Sequence, residues 1–83
     1  MSFGDNEKAL RYLRRALELE PEGMDPNYFM GDFLLETGHA AAALQYLDMA
    51  EMASRRLPAS SVVTGRRSEI AQAIEKAHKR LGR

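Results

Sequence analysis

The strongest constraint on this chain of 83 residues is that part of it recurs at a spacing of 34 residues. Residues 4–16 align with residues 38–50, and Gly31 and Gly65 share the same offset. A period of this length is typical of proteins in which one supersecondary unit stacks on the next. The identical aligned pairs are Gly4 and Gly38, Ala9 and Ala43, Leu10 and Leu44, Tyr12 and Tyr46, Leu13 and Leu47, and Ala16 and Ala50.

Each copy has the apolar spacing of an amphipathic helix. In the first copy, one stripe of a helix would carry Ala9, Leu10, Leu13, Ala16 and Leu17. The opposite face is charged, so we expect one side of this helix to pack and the other to face water.

A second helix is predicted between the two copies. Asp25 is a favourable N-cap, and Pro26 suits a first helical turn because its missing N–H has no partner there. Gly38 is expected to end the helix in the left-handed conformation. We therefore predict a helix over residues 26–37.

These residues resemble the tetratricopeptide repeat, a pair of antiparallel helices. Asn27, Met30, Gly31 and Leu34 occupy the places of its first-helix pattern, with Asn27 and Leu34 in place of the usual aromatic residues. The resemblance covers residues 4–55 and implies an all-α, right-handed solenoid fragment of about four helices. It also implies that the repeat is packed by Ala9, Leu13, Ala16, Gly31, Leu34, Ala43, Leu47 and Ala50.

We expect a single domain over residues 1–83. Residues 4–20 would be the second helix of a partial repeat, residues 25–55 a full repeat, and residues 58–82 a polar-backed capping helix that starts near the caps Ser60 and Ser61. Since the chain starts at a second helix, the face of Ala9, Leu13 and Ala16 is expected to lack one neighbour. That feature is compatible with a fragment of a longer repeat protein and equally with a short relative of such proteins.

Composition and motifs favour a non-catalytic protein. The chain has no cysteine and no glycine-rich phosphate loop, and His39 and His78 have no ligand companions at metal-binding spacing. We therefore predict no enzyme activity, no cofactor and no metal. No segment resembles a secretory signal or a membrane span, so we predict a soluble, cytoplasmic protein.

The resemblance implies that the first helix of the pair lines a concave partner-binding surface. The positions that would face it are Asp25, Tyr28, Asp32, Leu35 and Glu36. Three of these are acids and none is the lysine, arginine or asparagine that would grip a terminal carboxylate. We therefore expect a protein or peptide partner with basic or mixed basic–aromatic character, to which Tyr28 and Leu35 would give apolar contacts. The plainer alternative is that Asp32 and Glu36 only pair with Arg66.

Charge asymmetry leaves two further alternatives open. Residues 1–54 contain four basic and ten acidic residues, and residues 55–83 contain eight basic and two acidic residues. Opposite ends of this kind, with an uncovered first helix, would suit self-association into a homo-oligomer. Nucleic-acid contact through the basic C-terminal helix is less favoured, because no aromatic side chain interleaves with its charges.

Overall fold

The structure, a computed structural model, describes residues 3–82, and side chains from residue 5 onward. Four helices follow one another: α1 (Phe3–Leu19), α2 (Met24–Glu36), α3 (Ala40–Arg56) and α4 (Ser61–Arg80). No strand occurs in this part of the chain. The prediction of an all-α fold with about four helices is confirmed.

Helix α2 begins two residues earlier than predicted. Its N-cap is Gly23, and Asp25 lies in the first turn, so the expected capping role of Asp25 is wrong. Met24 explains the earlier start, because its side chain packs against Ala50 and Ile70 in the core. Including Met24 in the helix buries a large apolar side chain, which favours folding.

The turn that leads into α2 is held by the side chain of Asn27. This residue is only 2% exposed. Its Nδ2 donates to the carbonyl oxygen of Pro21 at 3.0 Å and to that of Gly23 at 2.8 Å. The repeat pattern has a bulky apolar residue at this position. Asn27 can replace it because its buried amide satisfies two backbone carbonyls of the turn.

The end of α2 agrees with its prediction. Gly38 has a φ of 87°, which is the left-handed conformation that glycine adopts without strain. The N–H of Gly38 donates to the carbonyl of Leu35, and the N–H of His39 donates to that of Leu34. This pair of bonds is the Schellman arrangement, which satisfies carbonyls left free at a helix end.

Helix α4 begins at Ser61, and residues 58–60 are irregular. Ser60 is the N-cap, as predicted, and its side-chain oxygen accepts a hydrogen bond from the N–H of Val63 at 3.1 Å. Gly65, which shares the repeat offset with Gly31, lies inside this helix and faces open space.

The core lies between α2, α3 and α4. Its larger cluster centres on Leu35 and Leu47, and the smaller one centres on Met24 and Ile70. Ala43 and Leu47 press against Gly31, where an added Cβ would lie 2.6 Å from two carbons of Leu47. The close approach of α2 and α3 therefore depends on a residue without a side chain.

Helix α1 has one packing partner among the described helices. It lies against α2, and none of its Cα atoms comes within 8 Å of a Cα atom of α3. Leu13 is buried, whereas Ala9 and Ala16 are half-buried. Among the described side chains of α1, the large apolar ones that are exposed are Tyr12 and Leu19.

Candidate functional site

Side chains of α2 and α4 meet on one surface, which we call the α2–α4 face. It contains four of the five residues predicted to bind a partner, joined by residues of α4. Its members are Asp25, Tyr28, Phe29, Asp32, Glu36, Arg66, Glu69 and Lys76.

Leu35 does not belong to this face, so its predicted role as an apolar partner contact is wrong. Its side chain is 1% exposed and belongs to the core cluster with Ala73 and Ala77 of α4. The physical reason is the position of α4, which lies across α2 and covers Leu35. A side chain sealed in this way packs the repeat and is not available to a ligand.

Arg66 organises one end of the face. Its Nε is 3.0 Å from Asp25 Oδ1, and its Nη1 is 2.9 Å from Glu69 Oε2. Burial alone would lower the pKa of this guanidinium, but the hydrogen bond to Asp25 and the two carboxylate charges raise it on balance. Arg66 is therefore fixed as a cation between two acids.

Two aromatic rings support the same guanidinium. The Arg66 Cζ lies 4.8 Å from the centroid of the Tyr28 ring and 4.8 Å from that of Phe29. Tyr28 also donates from its hydroxyl to Glu69 Oε2 at 3.2 Å. A planar guanidinium held over ring faces gains cation–π attraction in addition to its ion pairs.

The other end of the face contains the acids Asp32 and Glu36. Glu36 Oε1 is 3.3 Å from Lys76 Nζ, so this acid already has a cation beside it. The alternative prediction, that Asp32 and Glu36 pair with Arg66, is wrong. Arg66 pairs with Asp25, and Glu36 pairs with Lys76. Pairing across to α4 nevertheless does occur.

Asp32 differs from its neighbours because it makes no hydrogen bond or ion pair within residues 5–82. It is partly buried, and burial together with the charge of Glu36 raises the pKa of its carboxyl group above the ordinary value of 3.8. The positive charge of Lys76 opposes this shift without cancelling it. A carboxylate that is partly desolvated and unpaired is stabilised by any cation brought to it.

Sequence reasoning missed Phe29 and the contributions of Glu69 and Lys76. The spacing of α4 carried a signal for the last two, because positions 66, 69, 73 and 76 fall on one stripe of a helix. Phe29 gave no such signal. It follows a position that the repeat pattern assigns to the partner surface, yet its ring is 42% exposed and lies under Arg66.

Most described cations of α4 are engaged by the chain itself. Arg66 and Lys76 pair with acids of α2, Lys79 pairs with Glu75, and Arg80 donates to the backbone carbonyl of Leu35. This use of the charges weakens the case for a phosphate-binding surface, which needs cations free to face the ligand. Arg83 lies outside the described residues.

The described part of the chain has neither a metal-binding cluster nor a membrane-spanning helix. No group of three or more histidine, cysteine or acidic side chains is placed to hold a metal ion. None of the helices is both long enough and apolar enough to cross a membrane.

Comparison with known proteins gives one match. The family model described as "Tetratricopeptide repeat" matches residues 1–59, which is more than half of the chain. No curated protein and no solved structure matches. The matched region includes α1, α2 and α3, and therefore the α2 half of the α2–α4 face.

Proposed function

The chain belongs to the tetratricopeptide repeat family, and from that premise we propose that it is a scaffold module that holds a basic segment of a partner protein on the α2–α4 face. Repeats of this family generally mediate protein–protein interactions and are typically non-catalytic. The finer part of the proposal, which concerns the surface and the charge of the partner, comes from the residues of that face.

The observation that carries this proposal is the unpaired state of Asp32. Asp25 and Glu36 each form an ion pair with a cation of α4, whereas Asp32 forms none within residues 5–82 and feels only the more distant charge of Lys76. A lysine or arginine of a partner would supply the missing charge and would form a hydrogen bond that is stronger than one between neutral groups. Asp32 is therefore the specific acceptor on this surface.

The aromatic residues beside Asp32 supply a second kind of contact. Tyr28 and Phe29 lie next to each other with ring centroids 5.4 Å apart, and Phe29 is 42% exposed. Aromatic and arginine side chains are enriched among residues that dominate binding energy at interfaces. The face thus offers a rigid apolar contact next to one acceptor for a cation.

A selection from a random peptide library would test the proposal. Immobilised wild-type protein is expected to enrich peptides that contain lysine or arginine, and Asp32→Asn is expected to lose that enrichment. Asp48→Asn is the matched control, because Asp48 is an exposed acid on α3, outside the α2–α4 face. If Asp32→Asn and wild type select the same basic peptides, the proposed role of Asp32 is wrong.

Self-association is a second candidate, supported by exposed apolar side chains on α1. Tyr12 is 73% exposed and Leu19 is 69% exposed. A homo-oligomer that covered them would bury apolar area that the single chain leaves in water. Sedimentation at micromolar concentration would show a mass above that of one chain, and Tyr12→Ser would reduce it; a monomer at that concentration would exclude this candidate.

A further inference from the structure

A second concave surface lies on the other side of α2, between α1 and α3. We call it the α1–α3 cleft; its volume is about 660 Å³, and its floor is α2. Its apolar lining consists of Leu10, Leu17, Met30, Phe33, Leu34 and Tyr46. Volumes of this size are typical of binding sites, and an apolar lining favours a ligand that brings apolar groups.

The cleft is long enough for a segment of polypeptide. It shares Leu17 and Tyr46 with a neighbouring depression of about 410 Å³ that reaches Pro21 and Met49. From His39 to Met49 the wall formed by α3 runs for about 15 Å at the ordinary rise of a helix. About three turns of a partner helix would span that length.

The cleft exists because α1 does not close onto α3. The two helices have no Cα pair within 8 Å, although both pack against α2. As a result, Leu10, Leu17 and Tyr46 stay half-buried where a direct contact of the two helices would cover them. Half-buried apolar side chains along a groove gain free energy when a ligand covers them.

Charge at the edge of the cleft indicates the character of the occupant. Arg14 lines the edge and forms no hydrogen bond or ion pair within residues 5–82, and Arg11 lies one turn before it on the same helix. Among the described residues that line the cleft, the one acid is Glu18, whose carboxylate is bound by Arg15 at 3.0 Å. Arg14 is therefore a cation of the lining that has no carboxylate partner among residues 5–82, in contrast to the acid Asp32 on the α2–α4 face.

We propose that the α1–α3 cleft binds an amphipathic segment of a partner protein that carries leucine-like side chains together with carboxylates. The apolar side chains would cover Leu10, Leu17 and Tyr46, and a carboxylate would pair with Arg14. This inference goes beyond the function proposed above, because it concerns the opposite side of α2 and a partner segment of opposite charge. One chain would then hold two segments at once, an acidic one on the cleft and a basic one on the α2–α4 face.

Two fluorescein-labelled peptides of about ten residues would test this proposal. They share the same leucine positions, and their polar positions are glutamate in one peptide and lysine in the other. By fluorescence anisotropy, the acidic peptide is expected to bind the wild-type protein, and Arg14→Glu is expected to lower its affinity about tenfold. Arg67→Glu makes the same change of charge at an exposed site on α4, and is expected to leave the affinity within about twofold of wild type.

The Asp32→Asn variant and amide chemical shifts distinguish a failure of this proposal from a failure of the function proposed for the α2–α4 face. Asp32→Asn is expected to leave binding of the acidic peptide unchanged, and amide chemical shifts on binding are expected to change near Leu17 and Tyr46. Equal affinity of wild type and Arg14→Glu would overturn the proposal, as would shifts confined to the α2–α4 face. A dimer that does not bind the acidic peptide would also overturn it, since a second copy would then fill the cleft.

Discussion

At the scale of single residues, Gly31 sets the distance between α2 and α3. A Cβ at this position would lie 2.6 Å from Leu47 Cγ and Cδ2 and 3.3 Å from the carbonyl oxygen of Ala43. Leu47 is fully buried and belongs to the core cluster, so moving its side chain away from position 31 would disturb other core residues. A single methyl group would therefore push the two helices apart.

We expect Gly31→Ala to destabilise the protein. Overpacking of this kind costs about 1–3 kcal/mol, and the higher helix propensity of alanine recovers at most about 1 kcal/mol. The free energy of unfolding is therefore expected to fall by about 1–2 kcal/mol in urea denaturation. Gly65→Ala is the control, because this glycine is also helical but has no atom within 4 Å of the added carbon. A gain in stability of up to about 1 kcal/mol is expected there, and equal effects of the two changes would contradict this account.

Asp32 is expected to make stability depend on pH. Its folded-state pKa is raised by burial and by Glu36, so the folded protein holds this proton more tightly than the unfolded chain does. The favourable contribution of the protonated Asp32 carboxyl to the free energy of unfolding is complete below the unfolded-state pKa. It is lost as the pH rises through the folded-state pKa. We expect Asp32→Asn to be more stable than wild type at pH 7, by up to about 0.5 kcal/mol, and equally stable near pH 3. Urea denaturation at both pH values measures this, and a wild type that is more stable at pH 7 would contradict it.

The repeat pattern predicted the packing positions of some residues correctly and assigned others to the wrong surface. Gly31 and Leu47 could be placed because a 34-residue period fixes which helices approach each other. Leu35 was assigned to a ligand surface because the pattern describes α2 without the helix that covers it. The two hydrogen bonds of Asn27 could not be predicted either, since they depend on the conformation of the turn at Pro21 and Gly23.

At the scale of helices, α1 is the least supported element. The two core clusters are formed by residues of α2, α3 and α4, and α1 lies against α2 without reaching α3. A helix with fewer tertiary contacts opens at a lower free energy. We therefore expect the free energy of local unfolding to be lower for α1 than for α3. The same looseness leaves the α1–α3 cleft open.

Native-state hydrogen exchange tests this difference between helices. We expect the amides in the middle of α1, around Leu13, to exchange at least tenfold faster than those around Leu47 in α3. The acidic peptide is expected to slow exchange in α1, because a segment in the cleft would join α1 to α3. Equal protection of α1 and α3 in the free protein would contradict the account of α1 as a loosely held helix.

The number and type of the helices followed from the sequence, whereas the start of α2 did not. Gly38 marked the end of α2 because the left-handed conformation is a local property of glycine. The start of α2 at Met24 depends on burial against α3 and α4, which a local capping pattern does not contain. The contacts that make α4 part of the α2–α4 face are also tertiary, and an example is Arg66 over the ring of Tyr28.

At the scale of the whole molecule, the charge asymmetry of the sequence is partly balanced by the fold. Among the described residues, four ion pairs join the acidic half of the chain to the basic half: Glu22 with Arg56, Asp25 with Arg66, Glu36 with Lys76, and Glu51 with Arg55. Exposed pairs of this kind add little stability, at most about 1 kcal/mol each. In the proposed functions their larger effect would be on recognition, since within residues 5–82 they leave Asp32 on the α2–α4 face and Arg14 at the cleft without an ion-pair partner.

The central claim is that Asp32 binds a cation of a partner, and a double-mutant cycle measures that contact directly. Once a basic peptide has been selected, its affinity is measured for wild type and Asp32→Asn, each with the original peptide and with a peptide whose key lysine or arginine is replaced by glutamine. The account predicts a coupling free energy of about 0.5–3 kcal/mol between Asp32 and one basic residue of the peptide. Coupling indistinguishable from zero at every basic residue of the peptide would contradict it.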